Sequence, residues 1–204
     1  MNIKEFQQLL DGRFTGSLGA AKFRRLSLGT WVRCIGEVVS VVQGQSHSSK
    51  DILCVNLGVH YSFLPKAGSS KPIKLGTMSI IDCEIKLRLT SSMDDHDQWW
   101  PPDAERVDEI DRLICDRALV QFDEYRLPGT ISELRPDDIA NGEMGLLYSL
   151  TRVRALLLMA RVHEHLGNPE RCRESAEMGL KFAGMAVGPK KELRMIIERS
   201  ARET

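Results

Sequence analysis

The chain has 204 residues, of which 42% are hydrophobic, and this is enough apolar material for one domain or for a domain with an appended subdomain. Its 28 basic and 28 acidic residues give a formal net charge of zero. No global field therefore draws the protein to nucleic acid or to an anionic membrane, and neither is an expected partner.

The cysteines are scattered and form no C-x-x-C pair, which argues against a disulfide framework and against a zinc knuckle. They are Cys34, Cys54, Cys83, Cys115 and Cys172. The N-terminal segment lacks the unbroken apolar stretch of a signal peptide, and no later segment has the ~18 consecutive apolar residues of a membrane span. We therefore expect a cytoplasmic protein with reduced thiols and no cofactor.

Hydrophobic periodicity predicts strands in the first half of the chain. A short helix over 3–10 is predicted to end near Gly12, before a glycine-rich basic turn. The valine-rich segments 30–43 and 51–61 are predicted strands that can pair as a hairpin.

The clearest predicted strand runs from Ile81 to Leu89. Apolar and charged side chains alternate along it, with Ile81, Cys83, Ile85, Leu87 and Leu89 on one face and Asp82, Glu84, Lys86 and Arg88 on the other. Because only one face of this strand is apolar, the pattern favours an antiparallel sheet over a parallel sheet buried on both sides.

The second half of the chain has helical spacing. A helix is predicted to start at Pro102–Asp103 and to run to about Tyr125, and further helices follow to the C-terminus. The predicted fold class is therefore α+β, with an antiparallel β-sheet packed against helices and then an all-helical segment. The expected domains are an α+β domain over 1–128 and a helical subdomain, packed on it, over 129–204.

The segment 160–183 resembles a single tetratricopeptide-like helical hairpin. A solenoid of such hairpins needs about three repeats to bury its faces, and no second copy is visible here. The pattern therefore favours a hairpin packed on the rest of the protein.

No set of residues has the types and spacing that a known chemistry requires. His163 and His165 are two apart on a predicted helix, so they project in different directions and do not form a metal-binding pair. The run Asp94, Asp95, His96 and Asp97 lacks the spaced ligands and the turn glycine of a calcium loop. Signatures of a catalytic serine and of a phosphate-binding loop are absent, and we expect neither an enzyme nor a metal site.

The polar side of the predicted sheet is the first candidate binding surface. If Asn56 and His60 share the face that carries the charged residues of the last strand, the sheet displays both charge signs and an amide on a rigid support. The alternative is an ordinary solvated face with paired charges. This surface comprises Asn56, His60, Glu84, Lys86 and Arg88.

The adjacent tryptophans Trp99 and Trp100 are the second candidate. Neighbouring residues of an extended segment point in opposite directions, so both side chains do not enter one core from such a segment. Either one is exposed as an interface anchor, or both pack around a helix end.

Short motifs follow one another at Phe23-Arg24-Arg25, 41–46, 55–59, 82–89 and Trp99-Trp100. In this order they resemble a bacterial family known only as a domain of unknown function, over about residues 1–126. That family has a Q-x-S signature, and Gln43 and Gln45-Ser46 are the residues here that correspond to it, although neither glutamine has a serine two positions later. The resemblance implies a small cytoplasmic module of a kind found near bacterial toxin genes, some members of which are suspected immunity proteins; it assigns no catalytic residues.

These observations together favour a non-enzymatic protein-binding module, an immunity or antitoxin protein whose partner is a toxin. The alternative is a small-ligand-binding protein or enzyme with a pocket between sheet and helices, anchored by Arg88, Asn56 and His60. A third hypothesis is a scaffold role for the helical hairpin, which an exposed apolar groove near His163 would support. The sequence predicts no oligomeric state.

Overall fold

A computed structural model describes residues 1–92 and 97–201 of the protein. The chain divides into two compact units, Met1–Glu124 and Tyr125–Thr204. This boundary lies four residues before the division at 128 that the sequence predicts. Asp94, Asp95 and His96, considered above as part of a metal-binding loop, lie outside the described residues.

The first unit opens with helix α1, Ile3–Ala20, which begins with a capping box between Asn2 and Glu5. The predicted end near Gly12 is wrong. The helix continues because its buried side chains keep a spacing of four residues to the end, at Phe6, Leu10, Phe14 and Leu18. Burial of Phe14 and Leu18 outweighs the low helix propensity of Gly12, Gly16 and Gly19.

In the described part of the chain the first unit contains one antiparallel sheet of five strands in the order β1-β2-β3-β4-β5. The strands are β1 Arg24–Ser27, β2 Thr30–Ile35, β3 Val38–Ser46, β4 Leu53–Tyr61 and β5 Ile85–Arg88. The predicted antiparallel sheet is therefore confirmed. The segment 30–43, expected as one strand, instead turns at Gly36, which has a positive φ of 57°.

Strand β5 is shorter than the predicted strand Ile81 to Leu89. Ile80–Asp82 form one turn of 3-10 helix, in which Asp82 accepts a hydrogen bond from the backbone N–H of Ser79 and pairs with Lys66 at 3.0 Å. This turn places Asp82 inside and leaves Ile81 72% exposed. The alternation holds only from Ile85 onward, where Ile85, Leu87 and Leu89 are buried and Lys86 is exposed. Cys83 instead packs on the opposite face of the sheet, and Glu84 is buried.

The two faces of the sheet have different coverings. Trp31 and Arg33 of β2 lie on the helix face, where Arg33 stacks on Phe23 and Phe122. The opposite face, here called the loop face, is covered in part by the β4–β5 connection, residues 62–84. Its apolar cluster consists of Val32, Val39, Val41, Met78 and Cys83.

A long helix after the sheet matches the prediction closely. Asp103 caps α2, Ala104–Leu113, which continues through a π-helical turn, Ile114–Ala118, into α3, Leu119–Glu124. Along this helix Val107, Ile110, Ile114 and Ala118 recur at helical spacing and form a buried stripe.

The second unit is helical, as predicted. Its helices are α4 Thr130–Glu133, α5 Pro136–Asn141, α6 Arg152–His165, α7 Pro169–Phe182 and α8 Val187–Ser200. Helices α6 and α7 form the predicted hairpin, and α8 completes its core through Leu193 and Ile196. None of the helices in residues 1–92 and 97–201 is long and apolar enough to cross a membrane.

Candidate functional site

The register of β4 and β5 brings the predicted polar residues together. Asn56 lies opposite Arg88 and Gly58 lies opposite Lys86. Residues directly opposite each other in an antiparallel pair share a face of the sheet. Asn56, His60, Lys86 and Arg88 therefore all lie on the loop face, as the sequence suggests.

The His60 end of this face is not at the surface. His60 is fully buried, with its Nδ1 accepting from the backbone N–H of Glu84 and its Nε2 3.3 Å from the carbonyl oxygen of Leu64. Glu84 is also buried. The β4–β5 connection, through Leu64 and Glu84, closes over His60, so this end of the face supports the fold and His60 does not contact solvent.

The Arg88 end is partly exposed and has a different character. The Arg88 guanidinium lies 5.0 Å from the centre of the Trp99 ring, and its Nη2 pairs with Asp97 Oδ1 at 3.3 Å. The Trp99 indole N–H donates to Asp97 Oδ2 at 3.1 Å. We call the group Arg88, Asp97 and Trp99 the Arg88 cradle.

Side chains from β3, from β4 and from the turn between them lie beside this cradle. Asn56 donates to the Oε1 of Gln45 at 2.9 Å, and the His47 ring packs edge-on against Trp99 with their centres 5.1 Å apart. Gln45, His47 and Asp97 are not among the binding residues predicted from the sequence. The hydrogen bond between Asp97 and Trp99 joins residues two apart and could have been predicted from their spacing. The contacts of Gln45 and His47 depend on how the strands pair, which the sequence does not show.

The two tryptophans have separate roles. Trp100 is only 1% exposed. Its backbone N–H and C=O both hydrogen-bond to the backbone of Leu53, so the chain pairs again with β4 at this residue, beyond the end of β5. Trp99 is partly exposed and faces the cradle. Of the two interpretations above, the structure therefore has one tryptophan in the core and one at the surface, and Trp100 is not available to a partner.

The buried thiols of this unit are not activated. Burial raises the pKa of Cys83 to about 12. Burial also raises the pKa of Cys54, although the nearby Arg88 guanidinium partly offsets the effect. Both side chains therefore stay protonated at neutral pH, and a protonated thiol is a poor nucleophile. Within residues 1–92 and 97–201, no three His, Cys, Asp or Glu side chains are grouped to hold a metal ion.

The sheet and the cradle lie within a stretch that matches a known family. The match covers residues 21–124, just over half of the 204, and the family is described as "Domain of unknown function (DUF4304)". The chain belongs to this family. The DUF4304 region ends at the last residue of α3, so it includes every strand of the sheet and the whole Arg88 cradle.

No curated protein and no solved structure matches the chain. The membership agrees with the resemblance to a domain of unknown function inferred above. The DUF4304 match does not extend into the helical unit Tyr125–Thr204.

The helical unit contains one buried histidine. His163 of α6 is 2% exposed, and neither ring nitrogen has a hydrogen-bond partner among the described residues. Burial, and secondarily the charge of Arg171, lower the pKa of His163 below its usual 6.5. His163 therefore lies in the core of the helical unit. Within the part of the chain that the structure describes, the exposed groove near His163 that would support a scaffold role is not present at this residue.

We expect the stability of the protein to depend on His163 in a defined pH range. In the unfolded chain His163 takes up a proton near pH 6.5, whereas in the folded protein it does so only at a lower pH. The free energy of unfolding is therefore at its full value above pH 6.5 and decreases as the pH falls from 6.5 toward the lowered pKa of folded His163. Urea unfolding of wild type and His163→Phe between pH 7.5 and about 5 measures this. The variant should lose less stability on acidification; parallel profiles for the two proteins would contradict the assignment.

Proposed function

We propose that residues 1–124 form a protein-binding module whose contact surface is centred on Arg88 and Trp99. The observation that supports this most strongly is the stacking of a partly exposed arginine on a partly exposed tryptophan. Arginine and tryptophan are among the residues that most often dominate the binding free energy of protein interfaces.

The support beneath this surface favours the same role. Arg88 is held in the sheet opposite Asn56, and Trp99 directly precedes Trp100, which is tied to Leu53 by two backbone hydrogen bonds. Side chains that are already ordered lose little conformational entropy when a partner binds. A rigid arginine–tryptophan pair is therefore well suited to act as an anchor.

The finer proposal is that the partner is a toxin and that this protein is its immunity protein in a bacterium. It rests on the family resemblance and on the protonated state of Cys54 and Cys83, which favours binding over catalysis. A pocket anchored jointly by Arg88, Asn56 and His60 is less favoured, because His60 lies four residues along β4 from Asn56 and is fully buried.

Co-expression with the products of neighbouring genes tests this proposal. We expect one product to co-purify with the full chain, to stop growth when expressed alone, and to be neutralised when the chain is present. Absence of a stable partner together with absence of any rescue would remove the proposal.

A further inference from the structure

The Arg88 cradle has the form of a carboxylate-binding site that the protein fills with its own Asp97. One oxygen of Asp97 faces the Arg88 guanidinium and the other accepts from the Trp99 indole N–H. The two donors come from different parts of the chain and meet only because the segment after β5 returns beside β4 at Trp100. They converge on a single carboxylate.

The bond between Asp97 and the cradle is weak enough to be exchanged. The Asp97 side chain is 61% exposed, and its closest contact with Arg88 is 3.3 Å. An ion pair with such an exposed partner contributes at most about 1 kcal/mol. A carboxylate that arrives with a partner surface and excludes water would interact more strongly with the same guanidinium.

Arg88 also has unused donor capacity. Its Nη1 is buried and has no hydrogen-bond partner among the residues that the structure describes. A guanidinium offers a planar fork of donors, and carboxylates are the groups that match it. Because Nη1 is buried, an incoming carboxylate competes with Asp97 at Nη2, where the present contact of 3.3 Å is long and a closer one would use the guanidinium more fully.

The charges around the cradle favour an anion. Lys86 lies two residues before Arg88 on β5, on the same face of the sheet, and is exposed. Glu84 follows in the same direction but is buried at the end of the β4–β5 connection, where its backbone N–H donates to His60. The exposed charges of this face of β5 are thus basic, and Asp97 is the acidic group that touches Arg88.

We propose that the Arg88 cradle binds a carboxylate of the partner, which takes the place of Asp97. This inference rests on the proposed protein-binding function and names the chemical group that is recognised. The carboxylate comes from an acidic side chain or from a chain terminus, and both sources present the same chemistry to Arg88 and Trp99.

The test uses the full chain and the ¹⁵N–¹H resonance of the Trp99 indole, assigned by its loss in Trp99→Phe. The probes are N-acetyl-glutamate α-amide for a side-chain carboxylate and N-acetyl-alanine for a terminal one, with N-acetyl-glutamine α-amide as the neutral control. We expect one or both acids to shift the resonance and the neutral amide to leave it in place.

Two variants make the test decisive. Asp97→Asn removes the competing carboxylate from an exposed position, so the Kd of the acidic probe should fall by about threefold or more. Arg88→Lys keeps the charge but loses the planar fork, and the Kd should rise by about tenfold. Equal binding of the neutral amide, or an Asp97→Asn variant that binds the acids no better than wild type, would overturn the inference.

Different results would contradict the carboxylate inference and the proposed protein-binding function. If the probes give the contradicting result while partner retention still depends on Trp99, only the carboxylate inference is wrong. If partner retention does not depend on Trp99, the proposed function itself is wrong.

Discussion

Replacing Asp11 with alanine is expected to lower the free energy of unfolding by about 3 kcal/mol or more. Asp11 is a buried carboxylate in the middle of α1. Its Oδ1 accepts from the backbone N–H of Gly29 at 3.1 Å and from the Trp31 indole at 2.9 Å, and its Oδ2 pairs with Arg25 at 2.6 Å. The alanine variant leaves two buried donors without an acceptor, and equilibrium urea unfolding followed by fluorescence measures the loss.

Asp11→Asn is the matched control for this prediction. Asparagine keeps an oxygen for Gly29 and Trp31 but presents an amide to Arg25, whose side chain is half exposed. The expected loss is therefore smaller, about 1 kcal/mol, because an ion pair with an exposed partner contributes little. An alanine variant that is no less stable than the asparagine variant would show that Asp11 does not organise the contact between α1 and β2.

Replacing Gly58 with alanine is expected to cost about 2 kcal/mol of stability. A Cβ atom at Gly58 would lie 2.6 Å from Cys83 Sγ and 2.8 Å from Ile80 Cδ1. These atoms belong to the β4–β5 connection, which packs directly on the loop face at this glycine. The variant forces the connection away from the sheet, and chemical unfolding measures the cost.

Gly12→Ala provides the comparison, since it makes the same chemical change in an open place. Nothing lies within 4 Å of a Cβ atom at Gly12, in the middle of α1. Alanine should therefore stabilise the helix there by up to about 1 kcal/mol. Similar effects of the two alanine substitutions would contradict the tight packing of the connection on Gly58.

The parts of the fold that were predictable from sequence are those set by local periodicity. The alternation from Ile85 to Leu89 and the stripe from Val107 to Ala118 both report directly which side chains are buried. The extension of α1 beyond Gly12 was missed because burial of Phe14 and Leu18 depends on the rest of the unit. Likewise, nothing local to Ile81 reveals that Asp82 turns inward to pair with Lys66.

The candidate site was predictable only in part for the same reason. The sequence offered a shared face for Asn56 and Arg88 only as a condition, and the strand register shows that they do share one. The burial of His60 could not be seen, because it is caused by a connection of more than twenty residues that folds back over the sheet. The contact of Trp99 with Arg88 depends on the return of the chain beside Leu53, which is a long-range pairing.

The central claim is that a partner protein binds at Arg88 and Trp99, and it is tested most directly by partner retention in matched surface variants. Trp99→Ala should weaken retention of the co-purifying partner by at least about 30-fold, which corresponds to about 2 kcal/mol. Tyr148→Ala removes another exposed aromatic side chain, in the helical unit, and should leave retention unchanged. Equal retention by the Trp99→Ala variant and the wild type would contradict the claim.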